Sequence, residues 1–249
     1  MATYHRFAFL YDELMADAPY DQWLSFTLTH TMNHPIHQVV DLGCGTGEIT
    51  YRLAKHFPEV IGIDKSETML SIAEQKTFDK NLQVTYLKQD IRHVSGLTDV
   101  DLVVSYCDVI NYLTTLADVR LVFKHVYDML RDGGTFIFDV HSLTHVMDDL
   151  TNETFTFAGD NVAYIWNCLP GDEDGAMVHE MTFFAKSKRN ESLYERFTEI
   201  HEQRTFSITT YRKLLTDVKF SKIEIYRDFT SENDVFDTNS ERIFFIAQK

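Results

Sequence analysis

Three of the ten glycines in this 249-residue chain fall within five residues, Gly43-Cys44-Gly45-Thr46-Gly47, directly after Val39-Val40-Asp41-Leu42. Such a cluster marks a place where backbone turns as side chains forbid or approaches a ligand closely. A second apolar run, Ile61-Gly62-Ile63, ends on Asp64, seventeen residues beyond Gly47. Strand, glycine turn, helix and a second strand ending in an acid open a nucleotide-binding βαβ unit. The spacing is G-x-G-x-G, and Glu48 occupies the place of the third glycine of the dinucleotide fingerprint. A carboxylate there suits the helix dipole but opposes a pyrophosphate. Gly47 is followed by Glu-Ile-Thr rather than by the lysine of a phosphate-cradling loop. The bland reading of the loop is a glycine turn that only lets a helix pack closely.

Charge narrows the ligand. With strands read at about 38–42, 60–64, 84–88, 101–106 and 135–140, an acid stands at or just past nearly every carboxyl end: Asp41, Asp64, Asp90, Asp108 and Asp139. Ligands of open α/β sheets bind at those ends. Two like charges 4 Å apart repel by about 4 kcal/mol at an effective dielectric near 20. The rim therefore disfavours phosphate and favours a cation, which suits S-adenosylmethionine, with its sulfonium, ammonium and single carboxylate.

The motifs Asp41-Leu-Gly-Cys-Gly-Thr-Gly47, Gly62-Ile-Asp64-Lys-Ser-Glu-Thr-Met69-Leu70, Gln89-Asp90-Ile91, Asp101-Leu-Val-Val-Ser-Tyr106 and Leu130-Arg-Asp-Gly-Gly-Thr-Phe-Ile-Phe-Asp139 occur in that order. In this series the chain resembles the class I S-adenosylmethionine-dependent methyltransferases across about residues 36–142, and more loosely elsewhere. The resemblance implies cofactor contacts from Tyr11, Asp41, Gly43, Cys44, Gly45, Asp64, Lys65, Met69, Asp90, Ile91, Tyr106 and Cys107. Gly43, Cys44 and Gly45 would bring backbone to the methionine moiety, with helix N–H groups facing its carboxylate. Asp41 would hold the ammonium through water, Asp64 both ribose hydroxyls, and Asp90 the adenine amino group beside Ile91. Met69 would cover the adenine as an adaptable apolar surface. Tyr11 matches a tyrosine that reaches the reacting centre, with Tyr4 a weaker candidate.

The elements that must position these residues follow. Alternating strands and helices from 38 to 142 imply a parallel sheet with helices on both faces. Apolar residues at 119, 122, 123, 126, 129 and 130 form the stripe of an amphipathic helix, which Gly133-Gly134 would end. Residues 151–206 break the rhythm with three strands at about 162–168, 177–185 and 193–205, an antiparallel meander. A helix at 211–218 and strands near 222–228 and 241–247 complete the chain. The expected fold is a Rossmann-like doubly wound α/β sheet of seven strands, the last antiparallel. Residues 1–35 would form an aromatic helical lid, with Asp21 capping its second helix. Residues 36–150 and 207–249 would form the core, and 151–206 an inserted β lid. The insertion is similar to that of small-molecule N-methyltransferases that dimethylate amino sugars.

Candidate bases are His141, past the fifth strand, and His201, which shares one face of its strand with Phe197, Glu199 and Gln203. Surface or edge-strand positions explain both without function. His141-x-x-x-His145 and His30-x-x-x-His34-x-x-His37 have metal-like spacings, but the second lies away from the binding edge, and no metal is expected. The three cysteines, 44, 107 and 168, include no C-x-x-C pair. A net charge of −15, from 38 acids against 23 bases, disfavours polyanions and anionic membranes. Lys186-Ser-Lys188-Arg189 reads as a solvated turn. With no apolar leader or spanning stretch, the chain is expected in the cytoplasm. The leading expectation is methyl transfer to a small molecule, nitrogen favoured over oxygen. The alternatives are a methyltransferase of tRNA, rRNA or a ribosomal protein, and a non-catalytic cofactor-binding or interaction protein. Oligomeric state is not legible.

Overall fold

The computed structural model describes residues 8, 10–32, 35–187, 190, 192–230 and 240–249. Tyr4, His34, Lys188 and Arg189 lie outside the described residues.

The runs of Val, Ile and Phe form a seven-stranded sheet of order β10-β11-β5-β4-β1-β2-β3. Its strands are β1 (Gln38–Leu42), β2 (Glu59–Asp64), β3 (Thr85–Lys88), β4 (Val100–Ser105), β5 (Leu130–His141), β10 (Lys222–Arg227) and β11 (Arg242–Gln248). β1 to β5 pair in parallel, and β11 runs antiparallel to both β5 and β10. This is the expected Rossmann-like order. Helices cover both faces, because successive strand residues point to opposite sides. On one side Phe136, Phe138 and Phe245 pack with Val119, Val122 and Phe123 of α4 (Leu116–Met129) and Leu214 and Leu215 of α5 (Ile208–Asp217). On the other, Ile137 and Phe244 meet Trp23 and Phe26 of α1 (Tyr20–Thr31) and Ile49 and Leu53 of α2 (Glu48–Leu53). α3 (Glu67–Asp79) starts with the Ser66 hydroxyl accepting from the Met69 amide, 3.3 Å.

Three local expectations change. Asp21 is not a cap: Pro19 precedes α1 without a side-chain cap bond, and Asp21 in the first turn pairs with Arg52 at 2.8 Å. Gly133-Gly134 does not end α4, which stops at Met129. Strand pairing resumes at once with Leu130 opposite Val100, and Gly133 (φ +75°) sits where the register shifts. The meander has four strands: β6 (Thr154–Ala158), β7 (Val162–Pro170), β8 (Ala176–Lys186) and β9 (Tyr194–Arg204), paired in that order. β6 is a five-residue edge strand with little buried surface, so its alternation carries a weak signal.

The second sheet lies against the N-terminal segment and α3 through Val162, Phe183 and Phe197, which pack with Ala8, Met69, Tyr11 and Leu14. Residues 10–14 are helical.

The core is strongest where Phe138 stacks between Phe136 and Phe245, with ring centroids 4.7 and 4.9 Å away. Phe138→Ala should cost about 3–5 kcal/mol in chemical denaturation. A loss under about 1 kcal/mol would contradict this packing.

Candidate active site

The carboxyl ends of β1, β2, β4 and β5, the N-terminal helix and the inner face of the second sheet enclose a cavity of about 810 Å³. That lies within the range of small-molecule sites. Every expected cofactor residue lines it: Tyr11, Asp41, Gly43, Cys44, Gly45, Asp64, Lys65, Met69, Asp90, Ile91, Tyr106 and Cys107. His141 and His201 line it as well.

At one end lies the glycine loop. Gly43 has φ +76°, and a Cβ there would stand 2.4 Å from Val109 Cγ1, so only glycine fits. Gly45 has φ +53°, and a Cβ there would meet no heavy atom within 4 Å, so its backbone faces open space. The loop's amides are largely used within the protein. Gly43 and Cys44 donate to the Ile63 carbonyl (2.8 and 3.0 Å), and Gly47 donates to that of Cys44 (2.9 Å). Gly45 N–H donates to Asp64 Oδ2 (3.0 Å) and Ser66 N–H to Asp64 Oδ1 (2.8 Å). Both Asp64 oxygens are thereby oriented, and each keeps a lone pair for a further donor.

Asp41 is buried and accepts from the Thr50 hydroxyl at 2.6 Å. Burial pushes its carboxyl up to about 7, against the Thr50 hydrogen bond and with help from Asp64. Asp90 differs: Arg92 hydrogen bonds it through Nη2 (2.6 Å) and Nε (3.0 Å), holding its carboxyl down at about 2. Its acceptor capacity is thus shared with an arginine absent from the sequence-based expectation. Tyr106 lines the cavity, and its hydroxyl bonds Thr27 on α1 at 2.6 Å. Burial pushes the Cys44 and Cys107 thiols well up, consistent with packing.

At the other end the acidic rim is corrected. Asp139 is fully buried and does not line the cavity. Arg242 lies between it and Asp108, with Nη1 on Asp139 Oδ2 (2.7 Å) and Nη2 on Asp108 Oδ1 (3.0 Å). Trp23 Nε1 donates to the same Asp139 oxygen (3.3 Å). The chain reaches this geometry through Cys107 and Asp108, both left-handed at φ +58° and +54°. Two such residues cost on the order of 1–3 kcal/mol each and gather at functional sites. Burial alone would raise Asp108, but His141, Arg242 and Gln203 together hold it below the ordinary carboxylate value.

His141 Nε2 lies 3.6 Å from Asp108 Oδ1, and its buried Nδ1 has no hydrogen-bond partner among the described residues. His201 faces the cavity from β9, with Nδ1 3.1 Å from the Tyr112 hydroxyl. Burial lowers both imidazoles to about 4. Phe197, Glu199, His201 and Gln203 form the buried face of β9, as the period-two pattern requires. His145 also lines the cavity, its ring centroid 5.6 Å from that of His141, and bonds Asp149 at 2.9 Å. His30 packs in tilted ring contacts with Phe26 and Tyr226. Among the described residues no three His, Cys, Asp or Glu gather as metal ligands, and no helix is long and apolar enough to cross a membrane.

Sequence reasoning missed Arg242, His179 and Trp166, and named Gln203 only for its place on the His201 face of its strand. The antiparallel direction of β11 was the available signal for Arg242: it puts the start of that strand, Arg242 opposite His141, at the binding edge. His179 and Trp166 come from the inserted sheet and carry no spacing motif.

Comparison with known proteins agrees with the fold. Residues 39–134 match the family model of a methyltransferase domain. A protein of Geobacillus sp. (strain WCH70), provisionally named a methyltransferase, is 39% identical over 251 residues, covering 99% of this chain and 100% of that one. The crystal structure of an S-adenosylmethionine-dependent methyltransferase from Clostridium acetobutylicum superposes with a TM-score of 0.87 at 29% identity over 98% of both chains. CalS10, an amino pentose methyltransferase from Micromonospora echinaspora solved with S-adenosylmethionine bound, shares the fold at a TM-score of 0.72 and 16% identity, covering 92% of this chain and 89% of that one. The chain belongs to the S-adenosylmethionine-dependent methyltransferase family.

The buried imidazoles give a direct check. By nuclear magnetic resonance, His141 and His201 should titrate near pH 4 instead of near the ordinary 6.5. A midpoint above 6 for His141 would contradict its burial in this site.

Proposed function

We propose that this methyltransferase transfers the methyl group to a small-molecule nitrogen, with the 810 Å³ cavity holding cofactor and acceptor together. The observation that carries the reading is the cavity's division into two chemistries: carboxylates around a glycine loop at one end, neutral imidazoles and aromatic rings at the other.

The residues present fit S-adenosylmethionine. Open space beside Gly45 admits a main-chain contact, the donor set is anionic, and Met69 and Ile91 offer apolar surface. Asp41 would hold the ammonium, Asp64 the ribose hydroxyls, and Asp90 with Ile91 the adenine. Lys65, Tyr106 and Cys107 would complete the walls. When bound, the cofactor supplies an electrophilic methyl whose C–S electron pair stays on sulfur as the acceptor's lone pair forms the new bond. The chain's own residues align the acceptor and exclude water, which supplies much of the acceleration. Tyr11, beside this space, would contact the reacting centre; segments 1–35 and 151–206 act as lids on the core formed by 36–150 and 207–249.

His141 points to nitrogen. At a pKa of about 4 it is neutral at pH 7 but a weak base. Such a group accepts a hydrogen bond yet cannot ionise an alcohol or phenol, whose pKa lies about 6 or more units higher. A neutral amine needs no prior ionisation. It donates N–H to His141 Nδ1, presents its lone pair, and releases its proton to solvent afterwards. His201 serves as a second polar contact. The net charge of −15 disfavours RNA as the acceptor, and the reaction is assigned to the cytoplasm.

Calorimetry tests the cofactor assignment. S-adenosylmethionine and S-adenosylhomocysteine should bind and NAD should not. A bound cation favours ionised Asp41, so binding releases a proton below pH 7, and affinity should weaken up to about tenfold per pH unit as pH falls below 7. Asp64→Ala removes two charge-assisted hydrogen bonds, each worth about 1.5–3 kcal/mol, and should raise the dissociation constant at least 100-fold. Unaltered binding by that variant would remove Asp64 from the site.

A further inference from the structure

Four side chains from the inserted sheet and the β4 turn form a hydrogen-bonded chain whose donors and acceptors have only one consistent assignment. Trp166 Nε1 can only donate, and it reaches His179 Nδ1 at 2.9 Å, so that nitrogen carries the lone pair. His179 Nε2 then carries the proton and donates to Gln203 Oε1 at 3.1 Å. This leaves the Gln203 amide nitrogen to donate, as it does, to Asp108 Oδ2 at 2.9 Å. The chain ends on a carboxylate whose other oxygen takes Arg242 Nη2 (3.0 Å) and faces His141 Nε2 (3.6 Å).

We propose that Asp108 and Gln203 are positioning residues of the acceptor site: Gln203 orients the Asp108 carboxylate, and Asp108 fixes His141 as the Nε2–H tautomer, keeping the Nδ1 lone pair for the methyl acceptor's N–H. The inference rests on His141 as the acceptor's partner, and it explains why a buried imidazole nitrogen has no protein partner. A carboxylate oxygen attracts a proton and repels a lone pair, so Nε2 is protonated on the side of Asp108. Nδ1 is then an acceptor, buried and without a hydrogen-bond partner among the described residues, on a side chain that lines the cavity. The opposite tautomer would put a lone pair against Asp108 and offer the substrate amine a donor, turning its own lone pair away from the methyl group. The other groups facing His141 are Arg242 on β11, His145 on the following turn and His179 on β8. None of them supplies a second anion that would reverse the preference. The insertion thus does more than cover the cavity: through Gln203 it sets the proton position on a core histidine.

Long-range ¹H–¹⁵N spectra of ¹⁵N-histidine-labelled protein at pH 7 read tautomers directly, with His141→Gln and His179→Gln identifying the two signals. The wild type should show His141 and His179 neutral with Nδ1 unprotonated. His141 as the Nδ1–H form or as imidazolium would overturn the proposal, and this result needs no variant to fold. Asp108→Asn, which removes the charge at nearly constant shape, should shift His141 to a mixture of tautomers. Gln203→Met should shift it in the same direction by less. Retention of the wild-type tautomer in Asp108→Asn would overturn the role of Asp108, and in Gln203→Met that of Gln203. Both variants should keep the far-ultraviolet circular dichroism spectrum of the wild type. The histidine spectra are independent of methyl transfer. Correct tautomers with no small amine methylated would sink the functional reading and leave the positioning intact, and the reverse pattern would do the opposite.

Discussion

The Arg242 guanidinium, held between the carboxylates of Asp139 and Asp108, is the contact on which the rest of the site depends. Burying a carboxylate costs several kcal/mol unless it is paired, and here the fully buried Asp139 lies beside the partly buried Asp108. The planar fork of arginine bonds both at once, which a lysine ammonium could not do with the same geometry. Its charge is reinforced in turn: burial would lower its pKa, but Asp139 and Asp108 drive it far up. Trp23 covers the guanidinium, whose carbon lies 5.2 Å from the ring centroid, and donates its own N–H to Asp139. One cation therefore ties the N-terminal helix, the reversed last strand, the end of β5 and the strained β4 turn together.

That ion triad also shapes the charge along the cavity, which Asp108 and Arg242 both line. Two carboxylates and one guanidinium leave the triad a net charge of −1, and Asp64 and, once ionised, Asp41 add negative potential at the glycine loop. Beyond the triad, burial keeps the imidazoles of His141 and His201 uncharged at neutral pH, so neither competes with a sulfonium. A cationic cofactor at one end and a neutral nucleophile at the other is the arrangement this charge distribution favours.

How much of this was legible in the sequence depended on how local each cause is. The glycine loop, Asp64 and the parallel strands are short-range patterns, and seven strands with the last reversed appeared as expected. The buried face of β9 followed from alternation alone. Gly133-Gly134 misled because glycines mark an end without saying which element ends: α4 had already stopped, and Gly133 accommodates a register shift in β5. The rim of five acids was right in composition and wrong in exposure. Asp139 is neutralised by a residue 103 positions away in the chain, and the Asp90–Arg92 pair depends on a side-chain conformation that no spacing specifies. His179, Trp166 and Gln203 reach the site only because a second sheet folds over the first.

The most direct test of a small-molecule nitrogen acceptor is to incubate the protein with methyl-labelled S-adenosylmethionine and a soluble cell extract, then partition the label. The account predicts label in the low-molecular-weight fraction, resistant to RNase and protease and carried on nitrogen. Label lost on RNase or protease treatment, or carried on oxygen in a small molecule, would contradict it.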